Sequence, residues 1–160
     1  MAIDVMTVTD MTLRVIMIVL LAGIVGFDRE LRHKPAGTKT HILVGLGSTI
    51  FTIMSIYFYI EFSGKTQVDP SRIAAQIVTG IGFLGAGTIL RFGGSVIGLT
   101  TAASLWSVAG IGVAVGAGNY YLAALSTAVI MLVFIVINKL NDFFENKVVN
   151  STRKKKAKKK

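Results

Sequence analysis

The sequence predicts an all-α, polytopic membrane protein: a compact bundle of five transmembrane helices whose central members are rich in Gly, Ala and Ser. Three observations predict it. Of the 160 residues 52% are hydrophobic and 16% charged, with mean hydropathy +0.67, whereas soluble domains carry roughly 25% charged residues. Five apolar stretches, 11–27, 42–60, 73–90, 96–115 and 122–140, come near the ~20 residues, range about 17–25, that cross a bilayer as a helix. Eleven of the 17 glycines fall within residues 69–118. A soluble helix with that much glycine loses about 1 kcal/mol per glycine relative to alanine, so only packing that needs glycine explains it.

The first span, 11–27, is interrupted only by Arg14. The first ten residues hold Asp4 and Asp10 and no Lys or Arg, the reverse of a signal-peptide n-region, so the first helix is expected to stay. A basic segment, 28–41, follows; Pro35 stops any helix running on from the first span, and Gly37 suits a turn. In the second span, 42–60, Ser48, Thr49, Thr52 and Ser55 form a polar stripe, and Tyr57 and Tyr59 suit the interface. Asp69-Pro70-Ser71 reads as a helix start, with Asp69 as N-cap and Pro70 in the first position. The third and fourth spans, 73–90 and 96–115, are joined by a turn of about five residues around Gly93-Gly94. A Tyr120-Tyr121 belt precedes the fifth span, 122–140. Residues 1–140 are thus expected to form one transmembrane domain, and 141–160 a basic, disordered tail within reach of anionic lipid.

The small residues of the third and fourth spans are spaced as contact stripes. Ala75, Thr79, Gly82 and Ala86 share one helical face; Gln76, Gly80 and Gly87 share the next, and Gly85 lies among them. Thr100, Ala103, Ser104, Ser107, Gly110 and Ala114 make a stripe in the fourth. In lipid, helices associate where small residues let backbones approach and hydroxyls bond across the gap. Gln76 is expected to bond to Thr100 or Ser104, and Trp106 to pack.

The net charge of +9 belongs to one end, since seven of the 17 basic residues lie in 153–160; it does not describe a nucleic-acid surface. With five spans, Arg29, Arg32, Lys34, Lys39, Arg91 and the tail from Lys139 fall on one side, 14 basic residues against Arg14, Lys65 and Arg72 on the other. The positive-inside rule then puts the N-terminus outside and the C-terminus in the cytoplasm.

Chemistry-bearing patterns are few. Gly80-Ile81-Gly82-Phe83-Leu84-Gly85 matches the dinucleotide fingerprint, but it lies inside an apolar helix, and no acidic residue occurs between Asp69 and Asp142 to hold a ribose. Close helix packing is the better reading; a broken helix with ion-binding carbonyls is the other. Asp28, Arg29 and Glu30 crowd the end of the first span, where i,i+4 pairs join Asp28 to Arg32 and Glu30 to Lys34. They read equally as a salt-bridge collar or as an ion, proton or docking site. His41 begins the second span as an interfacial anchor or a pH-responsive group, the anchor being favoured; His33 is a solvated loop residue. Two histidines and no cysteine make no transition-metal site. No catalytic set assembles within the spans, so no enzyme, cofactor or metal is expected.

Four blocks carry a resemblance over nearly all of residues 11–140: DRE at 28–30, AGTKTHILV at 36–44, DPSRIAAQIVTGIGFLGAG at 69–87 and GLTTAASLW at 98–106. In them the chain resembles the MgtC/SapB family of bacterial inner-membrane proteins. The family commonly has Glu in place of Asp28 and Leu-Arg-Thr in place of Thr38-Lys39-Thr40; lysine does not copy a bidentate arginine. The chain looks like the short form, without the soluble C-terminal domain. The resemblance implies growth at low magnesium, survival of intracellular pathogens, and action by binding other membrane proteins, including inhibition of the F-type ATP synthase, rather than moving magnesium. The expected protein is therefore a dimeric, non-enzymatic membrane regulator. Its functional candidates are Asp28, Arg29, Glu30, Lys39, His41, Asp69, Arg72 and Gln76. The competing expectation is a small cation or proton transporter using Asp28, Glu30 and His41.

Overall fold

A computed structural model describes residues 7–64 and 69–157. Five helices and one small hairpin follow in the order α1 (Val8–Leu31), α2 (Thr38–Phe62), α3 (Ser71–Thr88), β1 (Leu90–Phe92), β2 (Ser95–Ile97), α4 (Leu99–Gly116) and α5 (Tyr120–Ala157). The chain divides into two units between Thr127 and Ala128. The second is the continuation of α5, which runs past residue 140 to Ala157. Glycine and proline are both absent after Gly118, so the sequence offers no breaker there.

In the first unit the helix directions follow from residue pairs. His41 meets Ser104, and Thr49 bonds Gly112. Both partners advance together, so α2 and α4 run parallel. Gly26 abuts Thr38 and Gly45 abuts Ile18, which sets α1 antiparallel to α2. The start of α3 meets the far part of α2, where Ser55 Oγ donates to Pro70 O at 2.7 Å. Its end meets the start of α4, where Gly85 faces Ala102. So α3 traverses the same layer in the opposite sense. A larger share of α4 is buried, 56% of its apolar window against 22% for α1 and 33% for α2, which makes it the central helix.

Close approach at glycine holds this arrangement. A Cβ on Gly26 would stand 2.7 Å from Thr38 Cα, and one on Gly112 would stand 2.5 Å from Gly45 O. The polar stripe expected in α2 points inward: Ser48, Thr49, Thr52 and Ser55 are all buried. Thr49 Oγ1 donates to Gly112 O at 3.0 Å, the kind of interhelical bond that ties helices in lipid.

Among the described residues four helices are long and apolar enough to cross a membrane: Val8–Leu31, Thr38–Phe62, Leu99–Gly116 and Tyr120–Leu140. The all-α expectation needs one correction. The segment expected as helix ends and a turn forms an antiparallel hairpin, with Leu90 paired to Ile97 and Phe92 to Ser95. Gly93-Gly94 is a two-residue hairpin turn, with Gly93 at φ +58°. Gly98 leads into α4 at φ +95°, pressed on Thr88 O; no side chain fits there.

Candidate functional site

The expected cluster assembles at the basic end of the first unit, where α1 hands over to α2. Helix α1 extends through Leu31 and closes with a Schellman motif: His33 N–H donates to Glu30 O and Lys34 N–H to Arg29 O. His33 takes the left-handed position at φ +51°. Asp28 pairs with Arg32 at 3.0 Å, as the i,i+4 spacing predicts. Glu30 departs from its expected pairing with Lys34, because its Oε2 accepts from Thr38 N–H at 2.9 Å. It thereby supplies the cap that Gly37 lacks. A carboxylate at a helix N-terminus satisfies a free donor and complements the dipole. Arg29 is buried at 2% exposure, while Lys39 stays exposed.

His41 is no interfacial anchor in this arrangement: it is 0% exposed. Its Nδ1 lies 2.8 Å from Gly37 O and its Nε2 lies 3.0 Å from Ser104 Oγ. Ser104 Oγ also lies 2.8 Å from Thr101 O. One ring therefore joins the α1–α2 connection, α2 and α4. The histidine was visible in the sequence; its partner, 63 residues away, was not.

A second constellation, which sequence reasoning missed, sits at the opposite end. Arg14 is 8% exposed, pairs with Asp10 at 2.7 Å and donates to Gly116 O, the last carbonyl level of α4. Tyr120 O–H donates to Asp10 Oδ1 at 3.0 Å. The signal was the i,i+4 spacing of two ionisable residues at the mouth of a span.

The other expected residues are placed apart. Asp69 Oδ1 accepts from both Ser71 N–H and Ser71 Oγ–H, at 2.8 and 2.7 Å. These bonds, from the hydroxyl first and the amide second, hold its carboxyl below the usual range. The helix starts one residue later than expected, with Pro70 as N-cap. Arg72 is exposed. Gln76 does not reach Thr100 or Ser104: Ser104 is taken by His41, and Gln76 lines a groove of about 700 Å³ between α2 and α3 with Thr40 and Ser48.

Of the expected packing residues, Gly85 faces Ala102 and Ser104 is buried. Ser107 is half-buried, bonded back to Ala103 O. Ala75, Thr79, Gly80, Gly82, Gly87, Thr100, Ala103 and Gly110 lie on the outside of the single chain. Nothing stands within 4 Å of a Cβ built on Gly80, Gly82, Gly87 or Gly110. The close approaches inside the chain fall instead on Gly26, Gly45, Gly112 and Gly116.

A model of the MgtC family matches residues 15–143. The chain is 41% identical over 140 residues to "Putative magnesium transporter YhiD" of Escherichia coli (strain K12), covering 86% of this chain and 65% of that one. It is 44% identical over 126 residues to "Protein MgtC" of Brucella abortus (strain 2308), covering 79% and 50%. With "Protein SapB" of Bacillus subtilis (strain 168) it shares 42% over 132 residues, covering 81% and 55%. The chain thus spans between half and two thirds of the length of these relatives. No solved structure matches it.

Proposed function

Because the chain belongs to the MgtC family, we propose that it is a non-enzymatic regulator in the bacterial inner membrane, acting through helix contacts made inside the bilayer. Its setting is adaptation to low magnesium and acid stress, and the F-type ATP synthase is the partner that the resemblance raises. The observation that carries this reading is the outer face of α3. This helix traverses the same layer as α2 yet is not among the four most apolar helices. Ala75, Thr79, Gly82 and Ala86 stand exposed along it without a charge. Such a face gains little from acyl chains and much from a second helix. We read α3 as the fifth crossing, covered by another copy of the chain or by another membrane protein, with the N-terminus outside and the C-terminus in the cytoplasm.

Cysteine is absent from the sequence, so engineered cysteines give an unambiguous test. Gly82→Cys in native membranes is expected to form an adduct with itself or with a membrane partner on oxidation, whereas Leu20→Cys on the outside of α1 is not. No adduct at Ala75, Thr79 or Gly82 would remove the reading. The name of the Escherichia coli relative, "Putative magnesium transporter YhiD", favours a second reading, cation transport. Ion flux in proteoliposomes that disappears in Asp28→Asn would establish transport and displace the regulator.

A further inference from the structure

We propose that His41 and Ser104 form a buried proton-binding site that joins α2 to α4 near the basic end of the first unit. Proton accounting leads to it. Gly37 O is a carbonyl and only accepts, so the Nδ1 that lies 2.8 Å from it carries hydrogen. At 3.0 Å from Nε2, Ser104 Oγ has a single hydrogen and two places to send it: the ring nitrogen, or Thr101 O at 2.8 Å. Two complete arrangements result. In the neutral one, Ser104 O–H donates to Nε2. In the charged one, a proton from water binds Nε2, N–H donates to Ser104 Oγ, and the hydroxyl hydrogen swings to Thr101 O. Both ring nitrogens are satisfied in both states, and no heavy atom need move.

A buried imidazole pinned only as packing needs one such arrangement; this one has a hydroxyl rotor that serves either. The surroundings set which is favoured. From α1, Arg29 is buried beside Asp28, and the Glu30 carboxylate lies against Gly37 and Thr38. Lys39 on α2 is exposed. On α4 the facing groups are the hydroxyls of Thr101 and Ser104, and α3 has no titratable residue between Arg72 and Arg91. Ser104 Oγ is the group placed to sustain a charged ring, 3.0 Å from Nε2.

The inference stands apart from the regulator reading, because the ring is observed directly. The chain has two histidines, so His33→Gln leaves His41 alone. Solid-state ¹⁵N NMR of that protein in liposomes should show a neutral ring protonated at Nδ1 near neutral pH. It should pass to a doubly protonated ring on acidification, with helix signals unchanged. Ser104→Ala should move the midpoint to lower pH by one unit or more, and Ser104→Thr, which keeps the hydroxyl, should restore it. A neutral ring protonated at Nε2, a ring that stays neutral down to pH 4.5, or a midpoint indifferent to Ser104→Ala would each overturn the proposal.

Discussion

At the scale of single residues, the polar groups are spent on helix ends. Arg14 closes the last turn of α4 with its guanidinium while Asp10 balances its charge. The Asp10 side chain keeps 29% exposure, so losing the arginine strands a charge that water still partly reaches. Arg14→Gln is expected to destabilise the bundle by about 1–3 kcal/mol, below the roughly 3–5 kcal/mol for a fully buried pair. Adding Asp10→Asn should recover part of the loss, as read by reversible unfolding in bicelles. Asp69 gives a pH dependence with a definite sign. Its carboxyl is held below the usual range by Ser71, so its support of the α3 start is fully present above the unfolded carboxylate value. That support is lost as pH falls through the lower folded value. Amide exchange at Ser71 should therefore rise only below the ordinary carboxylate range, and Asp69→Asn should abolish the pH dependence.

Among the helices and the hairpin, the sequence made plain that glycine mattered but not which glycine. Helical spacing identifies a face; it does not say whether that face looks inward. In α3 the stripe through Ala75, Thr79, Gly82 and Ala86 turned outward, while Ile81 and Gly85 face the core. In α2 the contact glycine, Gly45, continues the stripe of Ser48, Thr49 and Thr52, and in α1 Gly26 lies four residues after Ala22, but only the structure shows which of these small residues meets another helix. The hairpin was legible in principle, because Gly93-Gly94 is flanked by Phe92 and Ser95 in a two-residue turn. Continuous apolarity on both sides read as helix because short apolar runs fit either period. The two classes of glycine should separate on substitution. Gly112→Ala drives a methyl into Gly45 O and Ser48 Cβ and is expected to cost about 1–3 kcal/mol. Gly110→Ala, two residues away with open space around it, should be neutral or stabilise by up to about 1 kcal/mol. Thermal unfolding of the two variants side by side checks this.

For the molecule as a whole, the membrane class was legible from composition, and its side-to-side charge bias from counting. The number of crossings turns on α3, the least apolar of the long helices to a hydropathy scale and yet one that begins beside Ser55 and ends beside Ala102. Gln76 and the run of glycines lower its apolarity without shortening its path. If it crosses, the connections before and after it open on opposite faces. Single cysteines at Ser63 and Gly93 should then react with a membrane-impermeant maleimide from outside and from the cytoplasmic side respectively. Labelling of both from one side would leave four crossings.

The parallel run of α2 and α4 also has a consequence for biogenesis. The companions of His41 and Thr49 are encoded 63 residues downstream. At about 5–20 residues per second, the ribosome needs roughly 3–13 seconds to deliver them. During that interval α2 waits with His41 Nε2 and Thr49 Oγ1 without their α4 partners, so any chaperone for this chain would be needed there, between the emergence of the second helix and the arrival of the fourth.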